Sequence, residues 1–163
     1  MEQQYHETYQ GPEQNQSGSM EIPLAQLMQM EQEHRNGASW FYWVSALSVL
    51  SSILMLIGSK IISALTLAST EFLTGLGMYA PELLVFALIP YLFIIGAMVL
   101  IGYLSKKGSR IAYLLGIIFL ALDTLVLVWA LDIIGILFHA LVLYYLIRGY
   151  IALSKLKKLV PKN

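Results

Sequence analysis

Two ionisable side chains stand inside strongly apolar stretches of the sequence. Asp123 lies within GIIFLALDTLVLVWAL, and His139 lies within IIGILFHALVLYY. An ionisable group inside the hydrocarbon of a bilayer costs roughly 3 kcal/mol or more and therefore usually has a partner. A carboxylate and an imidazole are suited to hydrogen bonding with each other and to carrying a proton or an ion.

The positions of these residues around a third acid predict that they lie at similar depth. Asp123 comes nine positions before Asp132, and His139 comes seven positions after it. With Asp132 as the N-cap of the later helix, the two runs form a tight antiparallel hairpin, and both side chains lie about 10–13 Å from its turn. Because the spacing does not fix rotation about the helix axes, their contact is a hypothesis. Two interpretations stay open, a polar clasp between the helices and part of a proton or ion path.

The composition indicates that a membrane surrounds these residues. The 163-residue chain is 58% hydrophobic and 12% charged, whereas soluble domains average roughly 45–50% and 25%. A spanning helix needs about 20 apolar residues, and four runs meet this length: 39–59, 82–104, 109–131 and 133–153. The sequence therefore predicts an all-α, single-domain polytopic membrane protein with its membrane domain over 37–154.

The segment between the first two runs is amphipathic. Over 61–76, apolar residues recur every three to four positions, and Ser and Thr follow the same rhythm on another face. This pattern, with Glu71 in its middle, predicts an amphipathic interfacial helix rather than a fifth crossing. Five crossings, or a re-entrant loop near Gly75 and Gly77, are the alternatives.

The two ends of the chain are polar and oppositely charged. Residues 1–36 carry six acidic residues and one basic residue, and they open with MEQQYHETYQGPEQNQSGSM. They predict a mostly disordered tail, with a short helix over 22–35 and a solvated linker as equal alternatives for its second part. Residues 155–163 form a basic tail.

Basic residues near the membrane ends predict the orientation. With four crossings, all the basic residues except Lys60 lie on the side of the two termini. We therefore expect a multi-pass protein of the inner (cytoplasmic) cell membrane with both termini in the cytoplasm. Tyr103 and Tyr113, which flank the KKGSR turn, are predicted to lie at the headgroups. A basic cluster is expected to face the anionic leaflet; it comprises Arg148, Lys155, Lys157, Lys158 and Lys162.

Several function classes are disfavoured. The sequence has no G-x-S-x-G, no H-E-x-x-H and no cysteine, and its three histidines are scattered, so we expect no enzyme, metal site or cofactor. The balance of 10 basic and 10 acidic residues argues against nucleic-acid binding. An intramembrane enzyme using Asp123, His139 and Glu82 is the remaining catalytic alternative. Pro90, inside the second run, removes a backbone donor and predicts a helix kink.

The C-terminal hairpin ALDTLVLVWALDIIGILFHALVLYYLIRG resembles the end of a group of small, uncharacterised bacterial four-helix membrane proteins. In that group an A-L-D stretch runs into D-x-x-G-x-x-F-H-A and closes with an R-G or K-G pair. The segments GASWFYWVSALS and FLTGLGMY resemble the same group. The resemblance implies a recurring hairpin pattern made of Asp123, Asp132, His139, Arg148 and Gly149, and it implies no particular activity.

Two functions follow as expectations. The favoured one is a non-enzymatic membrane component that acts through helix–helix contacts or through contacts with the lipid bilayer. The alternative is a small oligomeric ion- or proton-coupled transporter or channel, motivated by Asp123, His139 and Pro90. Because four crossings are few for a complete permeation path, only this alternative requires a homo-oligomer. Expected partners are lipids and other membrane proteins or further copies of the chain.

Overall fold

The computed structural model describes residues 23–57 and 67–159, and this part of the chain consists of helices joined by short turns, without strands. Four of the helices, all but the second, are long and apolar enough to cross a membrane. The predicted fold class, an all-α polytopic membrane protein, is confirmed. The helices are α1 (Leu24–Leu56), α2 (Ala68–Tyr79), α3 (Leu84–Lys106), α4 (Arg110–Trp129) and α5 (Ile133–Leu159), with a 3₁₀ turn at Pro81–Leu83 between α2 and α3.

The first helix is longer than the run that predicts it. α1 begins directly after Pro23 and continues unbroken for 33 residues, a length of about 50 Å against a hydrocarbon core of about 30 Å. The stretch considered as a separate short helix over 22–35 forms the first half of α1 from Leu24, because its Ala, Gln, Leu, Met, Glu and Arg residues are strong helix formers. Residues 1–22 lie outside the described part of the chain.

The turn between α3 and α4 ends one helix and begins the next within three residues. The N–H of Ser109 donates to the carbonyl of Leu104 (3.0 Å), and the N–H of Gly108 donates to that of Ser105 (2.9 Å). This is the Schellman pattern, in which the penultimate residue has positive φ; Gly108 has φ 87°. The Ser109 hydroxyl then accepts from the N–H of Ala112 (3.3 Å) and caps α4.

The turn between α4 and α5 repeats this motif with different residues. The N–H of Asp132 donates to Leu127 (3.1 Å), and the N–H of Leu131 donates to Val128 (3.2 Å). Leu131 stands where the other turn has glycine, and its φ is 58°. The Asp132 carboxylate accepts from the N–H of Gly135 (3.1 Å), so the predicted N-cap of the last helix is present.

The four long helices form a four-sided bundle. α1 packs against α3 and α5, and α4 packs against the same two helices. We call the end with the start of α1, the α3–α4 turn and the end of α5 the tail end, and we call the opposite end the far end. Midway between them lies an apolar layer of fully buried side chains from α1, α4 and α5: Phe41, Leu120, Val142 and Leu146.

The short helix α2 is inserted into the far half of the bundle, where it packs on α1, α3 and α4. The N–H of Leu67, just before α2, donates to the hydroxyl of Ser48 (3.1 Å). Ser48 is eight residues before the end of α1 at Leu56, so α2 starts about 12 Å below that end. The interfacial helix predicted over 61–76 corresponds to α2 from Ala68 onward, and 61–66 lie outside the described residues.

Candidate functional site

The structure places Asp123 and His139 in contact, deep in the bundle. His139 Nε2 lies 3.1 Å from Asp123 Oδ2, and each side chain is only 1% exposed. Both residues lie on the buried faces of their helices, where buried positions recur every three to four residues (Leu120, Asp123 and Leu127 on α4). The tight α4–α5 turn keeps the two buried faces opposite each other. Because Asp123 and His139 lie at similar distances from this turn, their side chains meet.

The second nitrogen of His139 determines where its proton lies. Nδ1 is 3.0 Å from the carbonyl oxygen of Gly135. A carbonyl oxygen only accepts hydrogen bonds, so Nδ1 carries a proton and donates it. One further proton then lies between Nε2 and Asp123 Oδ2, on either atom, and the pair is neutral overall in both arrangements. The ring therefore uses both nitrogens within the protein.

Asp123 also holds the start of α2. Its Oδ2 accepts from the N–H of Ala68 (2.7 Å), and its Oδ1 accepts from the N–H of Ser69 (3.0 Å) and from the Ser69 hydroxyl. The first N–H groups of a helix have no partner within the helix, and they carry its positive partial charge. These donors stabilise a negative charge on the carboxylate, and Asp123 acts in place of a cap that α2 lacks in its own sequence.

The start of α2 is a partner of Asp123 that was not anticipated from the sequence, where the only contact considered for Asp123 was the hypothetical one with His139. Ser48 and Ser69 belong to the site, and Thr74 adds a link by donating to Ser52 of α1 (3.1 Å). The Ser/Thr stripe of α2 was the available signal. It indicated polarity, but it did not indicate that this polarity faces protein rather than headgroups.

The apolar layer separates this centre from the tail end. Phe41, Leu120 and Leu146 are fully buried in that layer. The nearby polar group of α1, the Ser45 hydroxyl, donates to the carbonyl of Phe41 in its own helix (2.8 Å). The hydrogen bonds described for Asp123 and His139 therefore stay in the far half of the bundle and do not pass through the layer.

A second polar level lies at the tail end, around Tyr113. Its side chain is fully buried, because its hydroxyl donates to the carbonyl of His34 (3.3 Å) and fits a notch between two glycines. A Cβ added at Gly37 would lie 2.9 Å from the Cα of Gly149. A Cβ at Gly149 would lie within 3.2 Å of the Tyr113 ring carbon that bears the hydroxyl. The α1–α5 crossing therefore requires both glycines.

An ion pair joins the same two helices nearer to the surface. The Arg148 guanidinium donates to Glu33 Oε1 at 2.6 Å. Glu33 lies in the polar first half of α1, ahead of the apolar run that begins at 39. The hydrogen bond from Arg148 lowers the pKa of Glu33 below its ordinary value, against a smaller opposing effect of burial.

The remaining predicted residues are dispersed. Lys155 lines the same α1–α5 groove as Arg148. Lys157 approaches Gly108 in the α3–α4 turn, Lys158 is exposed, and Lys162 lies outside the described residues. Pro90 lies inside α3, which runs on from Leu84 to Lys106, and the kink remains a prediction. In the described part of the chain, no three His, Asp or Glu side chains are grouped to hold a metal ion.

Fold and site together define a class, a multi-pass α-helical membrane protein with a closed polar centre in one half of its bundle. No family model, no curated protein and no solved structure matches the chain.

Proposed function

We propose that this protein is a non-enzymatic membrane component that acts through helix–helix and lipid contacts, with Asp123 and His139 as the clasp that holds its fold. The proposal rests on the polar centre, whose hydrogen-bonding groups are engaged by partners within this chain. Asp123 accepts from three donors at the start of α2 and shares a hydrogen bond with His139, and both ring nitrogens of His139 have partners within the chain. A centre so fully engaged is suited to joining helices.

The lipid-facing surface supports the same function. Large apolar side chains are exposed along the membrane helices; on α3 they include Val85, Phe86, Ile89, Leu92 and Phe93. Apart from α2, which packs into the bundle, only the first half of α1, the last turns of α5 and the short turns lie outside the apolar runs among the described residues. Surfaces of this kind contact acyl chains or the helices of other membrane proteins.

We further propose that the tail end faces the cytoplasm and that the membrane is the inner cell membrane. The tail end carries most of the basic residues that the structure describes: Arg35, Lys106, Lys107, Arg110, Arg148, Lys155, Lys157 and Lys158. Such a concentration is typical of the cytoplasmic side. A reporter fused after Leu159 is expected to read out cytoplasmic, and a periplasmic reading would contradict the orientation.

The deciding experiment is the mass of the tagged chain extracted with its native lipid, with every co-purifying chain identified. A stoichiometric foreign membrane protein, or a monomer with bound lipid, is the expected result. A discrete homo-oligomer that also conducts protons or ions after reconstitution would overturn the proposal.

The second candidate is a small oligomeric proton- or ion-coupled transporter or channel. One observation favours it: Asp123 Oδ2 and His139 Nε2 lie 3.1 Å apart inside a membrane helix pair, a distance that a shared proton can bridge. For this function, vesicles containing the wild-type protein should dissipate a pH gradient, and Asp123→Asn should abolish that flux while the protein stays folded. The clasp predicts instead that Asp123→Asn lowers stability and that wild-type vesicles match empty ones.

A further inference from the structure

We propose that the groove between α1 and α5 at the tail end is a binding site for the phosphate headgroup of one anionic phospholipid, held by Arg148 and Lys155. The inference rests on the proposed function, because it names the class of lipid for the lipid contacts of that function. The groove has a volume of about 350 Å³, and its polar lining comprises Glu33, Tyr144, Arg148 and Lys155.

The spacing along α5 places the polar groups of the lining on one face of the helix. Tyr144, Arg148 and Lys155 are separated by four and seven residues, so the phenol, the guanidinium and the ammonium share one face of the helix. Ile147 and Ile151 line the same groove. A lining that combines two cations with isoleucine side chains suits a ligand with an anionic head and an apolar chain.

The depth of the groove agrees with the position of lipid phosphates. Arg148 lies fifteen residues, about 22 Å, after the start of α5 at Ile133, and Lys155 lies about 33 Å after it. With one boundary of the hydrocarbon core placed at Ile133, the other boundary, about 30 Å away, falls between the two cations. Each side chain reaches the headgroup region from its own side of that boundary.

The groove has one more positive charge than negative charge, which one anion can balance. Two cations face one carboxylate, since Glu33 accepts from Arg148. Half of the Arg148 side-chain surface stays exposed (50%), and a guanidinium has five donors suited to bidentate binding of phosphate. The lipid phosphate therefore competes with Glu33 for Arg148, and Glu33 limits the affinity.

Binding is tested on the full chain in neutral detergent micelles by titration with short-chain phosphatidylglycerol, read by native mass spectrometry. We expect saturable one-to-one binding, about tenfold or more tighter than that of phosphatidylcholine with the same chains. Equal binding of the two lipids would overturn the proposal. Displacement of the lipid by millimolar inorganic phosphate would also overturn it, because the site would then be one for free anions.

Charge variants separate a site from general attraction to an anionic lipid. Lys155→Gln and Arg148→Gln should each weaken phosphatidylglycerol binding by about tenfold or more. Lys157→Gln is the matched control, because Lys157 is on the same helix but faces Gly108 of the α3–α4 turn. General attraction is worth about fivefold per lysine, so similar losses in all three variants would refute the site.

The competition between the lipid phosphate and Glu33 is tested by a matched pair of variants. Glu33→Gln should tighten binding because it releases Arg148, and it should do so by about threefold more than Glu31→Gln. Glu31 is on the same helix and carries the same charge, but it pairs with Arg35 (3.2 Å). Equal effects of the two variants would contradict the competition. A failure of lipid selectivity leaves the test of the proposed function intact, because that test counts protein chains and not lipids.

Discussion

Asp123 links more helices than any one of its hydrogen-bonding partners does. Its carboxylate, on α4, accepts from the backbone and hydroxyl of α2 and is hydrogen-bonded to the imidazole of α5. His139 bonds outside its own helix only to that carboxylate, since Nδ1 donates to Gly135 of α5. Loss of the imidazole therefore breaks one link, whereas loss of the carboxylate breaks the links to two helices.

From this asymmetry we expect Asp123→Ala to destabilise the protein more than His139→Ala does. Removing one member of a buried pair costs about 3–5 kcal/mol, and each unpaired N–H at the start of α2 adds about 1–3 kcal/mol. The free energy of unfolding is measured by titration with SDS in mixed micelles. Thr124→Val is the control, since its hydroxyl donates to Leu120 in the same helix (2.7 Å). An Asp123→Ala cost no larger than that of the control would contradict the clasp.

The pair of Glu33 and Arg148 gives stability a dependence on pH. The pKa of Glu33 is lower in the folded state than its ordinary value of 4.5 because Arg148 donates to the carboxylate. The stabilisation is therefore fully present above that ordinary value, and it is lost as the pH falls through the lowered one. We expect the stability difference between wild type and Glu33→Gln to be constant from pH 6 to pH 8 and to shrink below about pH 4. A difference that stays constant to pH 3 would show that the pair contributes nothing.

On the scale of elements, the backbones of α1 and α5 approach each other closely at their glycine crossing. Gly37→Ala and Gly149→Ala should each cost about 1–3 kcal/mol of unfolding free energy, because the added methyl meets backbone and the Tyr113 side chain. Gly96→Ala is the matched control: nothing lies within 4 Å of its Cβ position, and alanine there should stabilise α3 by up to about 1 kcal/mol.

A double variant identifies what fills the notch. Tyr113→Phe removes the hydroxyl nearest to a new methyl at Gly149, so it should recover part of the cost of Gly149→Ala. It should help Gly37→Ala less, because that methyl also meets the Gly149 Cα and the Tyr145 carbonyl at 2.9 Å. Strict additivity of Tyr113→Phe and Gly149→Ala would contradict this packing.

The two hairpin turns predict opposite effects at equivalent positions. Leu131 has φ 58°, which costs an L-residue about 1 kcal/mol, so Leu131→Gly should raise the unfolding free energy by about that amount. Gly108 has φ 87° in the same motif, and Gly108→Ala should lower it by a similar amount. Thermal unfolding in detergent measures both, and changes of equal sign would refute the shared motif.

Elements were predictable from the sequence to the extent that they depend on local pattern. Run length and hydropathy predicted four long helices, and counting from Asp132 predicted the common depth of Asp123 and His139. The insertion of α2 was not predictable in this way, because it depends on Ser48 and Asp123, which lie on two other helices. The burial of Tyr113 depends likewise on two glycines 112 residues apart, a coincidence that no local window contains.

On the scale of the whole molecule, two polar levels are held apart by an apolar layer. Tyr113 and Asp123 are ten residues apart on α4, about 15 Å, with the fully buried Leu120 between them. Such separation means that the levels stabilise different halves of the bundle. The far level joins α2 to α1, α4 and α5, whereas the tail level joins α1 to α4 and α5.

We therefore expect changes at the two levels to be independent. The unfolding free energy lost by His139→Ala with Tyr113→Phe should equal the two single losses added together, within about 0.5 kcal/mol. Asp123→Ala with His139→Ala should instead cost clearly less than its two single losses added together, since the second change removes a group already deprived of its partner. Strong coupling between His139 and Tyr113 would show that the apolar layer transmits changes between the levels.

The hydrogen bonds between Asp123 and the start of α2 also set an order for biosynthesis. The carboxylate is 55 residues downstream of the Ala68 N–H that it accepts, so at about 5–20 residues per second the ribosome supplies it roughly 3–11 s later. During that interval the N–H groups of Ala68 and Ser69 lack this acceptor, so burying the start of α2 in the bilayer is costly. α2 therefore takes its final place only after the last hairpin has entered the membrane, and a chain truncated before Asp123 should leave α2 open to cleavage by added protease.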